Sequence, residues 1–117
     1  MSMFKISKTV DATGVVVLKL DGSLNVEAVE QWESALQQVR FEETAKLVLD
    51  LSKLEYISSA GVGTFVACIA ELKGKGGDVI FVNPSKEIRE VFELLGFTKM
   101  FRMMKKVKEA VDALAAS

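Results

Sequence analysis

The sequence predicts an α/β fold, a single-layer mixed β-sheet with mostly parallel central strands and helices packed against it. Three patterns predict this class. Segments with the two-residue period of strands alternate with segments that have the period of amphipathic helices. Two strand-like segments open the chain, as in an antiparallel hairpin, and residues 47–51 are apolar almost throughout, as in a strand buried on both faces. The expected order, ββαβαβαβα, requires a layered α/β sandwich.

The first two elements form the predicted hairpin. Residues 4–10 alternate apolar and polar side chains, and residues 15–20 are rich in β-branched side chains. Between them, residues 11–14 read Asp-Ala-Thr-Gly, which is typical of a turn. The following Asp21-Gly22-Ser23 predicts the end of the second strand.

Four helices and three more strands follow. Asn25 is the predicted N-cap of the first helix, because its side-chain oxygen can accept an unpaired backbone N–H. The third helix is expected to begin at Asn83-Pro84, with proline in the first helical position, and to end at a left-handed Gly96. Residues 47–51 and 78–82 predict strands, and 97–104 predict a turn with a short edge strand. The apolar stripes of the four helices are Val29, Trp32, Leu36 and Val39; Val62, Phe65, Val66, Ile69 and Leu72; Ile88, Val91, Phe92 and Leu95; and Val107, Ala110, Val111 and Leu114.

Composition excludes several classes of function. The chain has 117 residues, which we expect to form one domain spanning residues 1–117. It has no histidine, which excludes histidine-dependent triads and histidine-ligated zinc. Fifteen basic residues against sixteen acidic ones leave no surplus of positive charge for nucleic acid, and no apolar run approaches the length of a membrane span. We therefore expect a cytoplasmic protein that binds neither nucleic acid nor membrane.

Other residues with possible chemistry have ordinary structural interpretations. The single cysteine, Cys68, lies among apolar helical residues and is expected to pack in the core. Asp50 ends the central strand, but no acidic pair follows the first strand to hold the magnesium of a phosphoaspartate receiver. The methionines and phenylalanines of residues 97–104 are expected mainly to pack, with an adaptable partner surface as the alternative.

The segment between the central strand and the second helix is the predicted functional site. The strand is expected to end at Leu51 and a loop to follow, with Ser58 and Ser59 where the helix begins. A helix N-terminus carries unpaired N–H groups and partial positive charge, so a hydroxyl there can cap the helix and an attached phosphate is tolerated. From position alone, a simple N-cap and a modification site both remain open.

Residues 56–63, Tyr-Ile-Ser-Ser-Ala-Gly-Val-Gly, resemble the signature of STAS domains, specifically the bacterial anti-sigma factor antagonists. Four other stretches resemble this family in order and spacing: residues 20–25, 47–51, 76–82 and 91–97. The resemblance covers practically the whole chain and implies a STAS-like fold.

The resemblance also implies a protein-binding module that is switched by phosphorylation. In this family the unphosphorylated antagonist binds an anti-sigma factor that is also a serine kinase, which releases a sigma factor. Phosphorylation blocks this binding, and a PP2C-type serine phosphatase restores it. The phosphoacceptor falls on Ser59, with Ser58 as a second candidate. The implied partner-binding residues are Ser23, Asn25, Ser58, Ser59, Ala60, Gly61 and Gly63.

Two positions depart from the family pattern. Ser58 stands where the family usually has aspartate, and Asn25 stands where the family often has a second aspartate. Both changes remove a negative charge near the acceptor hydroxyl, so we expect kinase recognition to differ. The alternative function is a STAS-like subunit of a transporter or a multiprotein signalling assembly that is never phosphorylated. We expect no enzyme activity, cofactor or metal site, because no convergent acid, base and metal ligands are present.

Overall fold

The computed structural model describes residues 3–41 and 45–116. Their order of strands and α-helices confirms the predicted ββαβαβαβα, and a short 3-10 helix, Val26–Ala28, leads into the first α-helix. The elements are β1 (Lys5–Val10), β2 (Val16–Leu24), α1 (Val29–Phe41), β3 (Lys46–Ile57), α2 (Ser59–Gly74), β4 (Asp78–Val82), α3 (Lys86–Leu94), β5 (Met103–Met104) and α4 (Val107–Ala115).

The five strands form one mixed sheet in the order β1-β2-β3-β4-β5. The β1–β2 pair is antiparallel, and the other three pairs are parallel. The central position of β3 confirms the prediction from its apolar sequence. Parallel strands joined by helices bring the carboxyl ends of β2, β3 and β4 to one edge of the sheet, and α1, α2 and α3 begin at that edge.

The helices cover the two faces of the sheet unequally. In the larger core, Leu18, Leu49 and Phe81 of the sheet pack with residues of α1, α2 and α3. In the smaller core, Val48 and Ile80 pack with α4. Successive residues of a strand point to opposite faces, which explains why β3 is apolar on both sides. Within the described residues, no helix combines the length and apolarity needed to cross a membrane.

The prediction that Asp21-Gly22-Ser23 ends the second strand is wrong, because β2 continues to Leu24. Gly22 has a φ of +92°, which glycine adopts without steric cost, and the pairing with β3 shifts register on either side of it. A Cβ at this glycine would lie 2.1 Å from the Met3 carbonyl oxygen. The segment is therefore a bulge that lets the strand continue past the Met3 backbone.

The prediction of a loop after Leu51 is also wrong, because β3 continues to Ile57. The second half of β3 pairs with the extension of β2, Gly22 with Leu54 and Leu24 with Ile57. Turn-forming residues thus become strand where a neighbouring strand offers backbone partners. As a result, Ser58 follows the strand directly.

The third helix begins later than predicted. Its N-cap is Ser85, whose Oγ accepts a hydrogen bond from the Ile88 N–H at 3.2 Å, so Pro84 lies before the cap and outside the helix. Leu95, predicted on the apolar stripe, is the C-cap and is 39% exposed. Gly96 has a φ of +79°, which confirms the left-handed helix end.

Candidate functional site

Ser59 is the first residue of α2 and lies at the carboxyl edge of the sheet. The neighbouring strands β2 and β3 end together, and the Ser58 backbone N–H donates a hydrogen bond to the Leu24 carbonyl at 2.9 Å. The 3-10 turn that begins after Asn25 and the helix that begins after Ser58 therefore start side by side. In open α/β sheets this edge is where ligands bind.

Two helix-capping residues stand at this paired start. The Oγ of Ser58 accepts the Gly61 N–H at 3.1 Å, and the Ser58 residue is only 7% exposed. The Oδ1 of Asn25 accepts the Ala28 N–H at 3.0 Å, so Asn25 is an N-cap as predicted, but of the 3-10 helix that leads into α1. Both positions where the sequence departs from the family pattern thus hold side chains that cap a helical turn.

The predicted site residues divide into exposed and covered groups. Ser59, Ala60 and Gly63 are exposed, and Asn25 is half-buried. Ser23 and Gly61 are buried, as is Ser58. The structure brings all seven together at the ends of β2 and β3 and the start of α2, but only part of the set meets solvent.

Gly61 allows α2 to start close to the two strands. A Cβ built on it would lie 2.9 Å from the Ile57 Cγ1 and 3.1 Å from the Leu24 Cγ. At these distances either the Ile57 and Leu24 side chains or the first turn of α2 would have to shift to make room for a Cβ. Gly61 therefore lets the first turn of α2 pack closely on the ends of β2 and β3.

Ser23 is 1% exposed, and its Oγ has no hydrogen-bond partner among residues 3–41 and 45–116. In the β2–β3 pairing it lies opposite Tyr56. A buried hydroxyl without a partner costs free energy, on the order of 1–3 kcal/mol. Ser23 is therefore covered within the strand pair that leads to Ser58 and Ser59, rather than exposed at the surface.

Two exposed apolar residues beside the site were missed by the sequence analysis. Val26, the first residue of the 3-10 helix, is 67% exposed, and Tyr56, near the end of β3, is 46% exposed. Tyr56 belongs to residues 56–63, the segment that resembles the STAS signature, so this resemblance could have identified Tyr56 as a site residue. Both side chains therefore leave apolar surface exposed close to the ends of β2 and β3.

A hydrogen-bonded chain beneath the site was also missed. The Trp32 indole Nε1–H donates to Thr64 Oγ1 at 2.7 Å, and Thr64 Oγ1–H donates to the Gly61 carbonyl at 2.6 Å. These three residues, here called the Trp32 brace, connect α1 to the first turns of α2. The apolar stripe predicts that Trp32 is buried, but periodicity contains no information about the partner of its N–H.

The electrostatics at the start of α2 favour an anion. The first turn of α2 contains no acidic side chain, whereas Glu27 and Glu87 occupy the first turns of the 3-10 helix and of α3. The partial positive charge of the α2 N-terminus is therefore not offset from within its own first turn. No three His, Cys, Asp or Glu side chains of the described ranges are grouped so that they could hold a metal ion.

Replacing Ser58 by alanine is expected to lower the free energy of unfolding by about 1 kcal/mol, because the Gly61 N–H loses its acceptor. Ser58→Asp is the matched control, since aspartate is also a good N-cap and its charge suits the helix dipole. Urea denaturation followed by circular dichroism measures both. Equal stability of the alanine and aspartate variants would contradict the capping role.

Comparison with known proteins places these features in a family. Residues 7–110 match the STAS domain family. The chain is 34% identical to an anti-sigma F factor antagonist of Lysinibacillus sphaericus over 82 residues, 69% of this chain and 70% of that protein. It is 33% identical to BtrV of Bordetella bronchiseptica over 88 residues, 75% of this chain and 76% of that one.

Solved structures agree with the sequence matches. The anti-sigma factor antagonist SpoIIAA in its unphosphorylated form has a TM-score of 0.76 and 27% identity, covering 97% of this chain and 100% of that one. The phosphorylated form of the Bacillus cell fate determinant SpoIIAA has a TM-score of 0.74 and 28% identity, covering 93% and 98%. The family match, the shared α/β sheet and the helix start at its carboxyl edge agree, and the chain belongs to the STAS domain family, with anti-sigma factor antagonists among its relatives.

Proposed function

We propose that this protein is an anti-sigma factor antagonist whose binding is switched by phosphorylation of Ser59. In its unphosphorylated form it binds an anti-sigma factor serine kinase, and a sigma factor is released. The kinase phosphorylates Ser59, which ends binding, and a PP2C-type serine phosphatase restores it. The observation that carries this proposal is the exposed Ser59 side chain at the first position of α2.

The contrast between the two serines supports Ser59 as the phosphoacceptor. The Ser58 Oγ is buried and already accepts the Gly61 N–H. A phosphate there would remove the cap and would bring a dianion into a covered position, which is costly. Ser59 is exposed, and a phosphate on it would meet the positive end of the helix.

The surroundings of Ser59 support a docking surface for a protein. Ser59, Ala60 and Gly63 are exposed along the start of α2, and the apolar Val26, which follows β2, and Tyr56, near the end of β3, are exposed as well. A Cβ on Gly63 would meet nothing within 4 Å, so a partner can approach the helix backbone closely there. The buried Ser23, Ser58 and Gly61, with the half-buried Asn25, shape this surface from beneath.

The switch needs no change of fold. A phosphate adds about −1.5 to −2 charges with a strongly held hydration shell, which a protein interface would have to remove. A coupling free energy of about 1–3 kcal/mol changes affinity by roughly 5–150-fold. This chain has TM-scores of 0.76 and 0.74 to the unphosphorylated and phosphorylated forms of SpoIIAA, so both forms have the same overall fold.

The remaining expectations form part of the same proposal. The protein acts in the cytoplasm as one domain, residues 1–117, and it binds partners without catalysing a reaction or holding a cofactor.

Phosphorylation by the serine-kinase anti-sigma factor of the same organism tests the proposal. Incubation with this kinase and ATP is expected to add one phosphate to Ser59, mapped by mass spectrometry, and Ser59→Ala is expected to stay unmodified. Ser34→Ala is the matched control, because Ser34 is also exposed on a helix and should leave phosphorylation unchanged. Ser59→Asp is expected to weaken kinase binding by roughly 5–150-fold in calorimetry.

Two results would contradict this function. One is the absence of phosphate from both Ser59 and Ser58 after incubation with the active kinase. The other is recovery of transporter or scaffold proteins alone in a pull-down, with no change for Ser59→Asp, which would support the unphosphorylated STAS-like subunit instead.

A further inference from the structure

The Trp32 brace joins the interior of the protein to the turn that carries Ser59. Trp32 is fully buried, and a buried indole N–H needs an acceptor. The acceptor is Thr64 Oγ1, at 2.7 Å from Nε1. The two residues are 32 positions apart and lie on different helices, so this bond fixes α2 relative to α1.

Thr64 is an unfavourable residue for the interior of a helix. Its branched Cβ restricts the side chain, and its hydroxyl bonds back to a carbonyl of the preceding turn, which slightly destabilises helices. Here the back-bond goes to the Gly61 carbonyl at 2.6 Å. The cost is offset because the same oxygen satisfies the buried Trp32 N–H.

Gly61 is held from both sides by hydroxyl groups. Its N–H donates to Ser58 Oγ at 3.1 Å, and its carbonyl accepts from Thr64 Oγ1 at 2.6 Å. Gly61 also lies close to the ends of β2 and β3, which is possible because glycine has no Cβ. Ser59 lies two residues earlier in the same turn, so the clamp on Gly61 also limits the orientation of Ser59.

We propose that Thr64 is a positioning residue for Ser59: held by Trp32, its hydroxyl fixes the Gly61 carbonyl and so orients the first turn of α2 for the kinase. This inference rests on the proposed phosphorylation of Ser59. We do not expect Thr64 to contact the kinase, because its hydroxyl already accepts a hydrogen bond from Trp32 and donates one to Gly61. Its effect is to hold the acceptor in one orientation, which raises the rate of transfer through preorganisation.

Thr64→Val tests the inference, because valine keeps the shape and removes the hydroxyl. Its kcat/KM for Ser59 phosphorylation is expected to fall about tenfold, whereas Thr64→Ser, which keeps the hydroxyl, should stay within about threefold of the unaltered protein. The Gly61 and Val62 amides should exchange with solvent about tenfold faster in Thr64→Val. Phosphorylation of Ser59 should also shift the NMR resonance of the Trp32 indole N–H, which is unambiguous because the chain has one tryptophan.

A double variant separates positioning from stability. Trp32→Phe with Thr64→Val removes donor and acceptor together, so no buried N–H is left unpaired, but the smaller ring leaves a cavity in the core. Trp32→Phe alone leaves the same cavity and keeps the Thr64 bond to Gly61, so it is the stability control for the double variant. Phosphorylation of the double variant should remain slow. A double variant phosphorylated as fast as Trp32→Phe alone would overturn the inference, as would a normal rate in Thr64→Val. An unmodified Ser59 in the unaltered protein would instead overturn the proposed function, and the role of Thr64 with it.

Discussion

Phe65→Ala is expected to lower the free energy of unfolding by about 3–5 kcal/mol, the largest stability effect that we predict. Phe65 is fully buried in α2, and its ring centroid lies 5.3–6.4 Å from those of four other aromatic side chains. Alanine would remove these contacts and leave a cavity that rigid neighbours cannot fill. The four neighbours are Trp32, Phe81, Phe92 and Phe101.

Urea denaturation followed by far-ultraviolet circular dichroism measures this loss. Tryptophan fluorescence is less suitable, because Trp32 is itself in contact with the altered ring. Phe97→Ala is the matched control: Phe97 is half-buried, and its ring stacks on Phe101 at 6.1 Å, so the loss should be smaller. A Phe65→Ala variant no less stable than Phe97→Ala would contradict the central role of Phe65.

Gly77→Ala is expected to destabilise the protein by about 3 kcal/mol, at the upper end of the usual cost of overpacking. A Cβ on Gly77 would lie 1.9 Å from the Ala45 carbonyl oxygen and 2.5 Å from its carbon. These are backbone atoms, so no side-chain rotation relieves the overlap. The same carbonyl accepts the Asp78 N–H at 3.0 Å, and separating the two segments would also break this bond.

Gly74→Ala is the control for this prediction. Gly74 ends α2, and a Cβ there would meet nothing within 4 Å. Alanine favours the helix more than glycine does, so this variant should be as stable as the unaltered protein or up to about 1 kcal/mol more stable. Thermal denaturation compares the two substitutions directly, and equal melting temperatures would show that the Ala45 backbone moves aside easily.

Hydrophobic periodicity predicts most of this fold because it records which face of each element is buried. The stripe from Val29 to Val39 lies on the covered side of α1, whereas the alternation in residues 4–10 locates β1 but leaves its Val10 53% exposed. Where each element begins and ends depends on competition between local sequence preferences and interactions with other parts of the chain. A local sequence pattern does not contain the second of these. Gly22 would end an isolated strand, but the backbone groups offered by β3 make a bulge more favourable. At Pro84, the nearby Ser85 provides the better cap.

The candidate site, like the fold, is predictable from the sequence only in part. Ser58 and Ser59 are predictable from sequence, because a serine pair after a buried strand indicates a helix start. The sequence alone does not distinguish the capping serine from the exposed one, since this depends on which side chain faces Gly61. The bond between Trp32 and Thr64 is likewise unpredictable, because it joins residues 32 positions apart and a single donor and acceptor leave no periodic trace.

The place where α4 ends has a practical consequence for binding measurements. Leu114, near the end of α4, shares a pocket with Lys46, Gly76 and Gly77 at the edge where β3 and β4 begin. Ser59 follows the end of β3, at the opposite edge of the sheet. A protein attached to a sensor chip through the end of α4 would therefore present Ser59 towards the flowing solution.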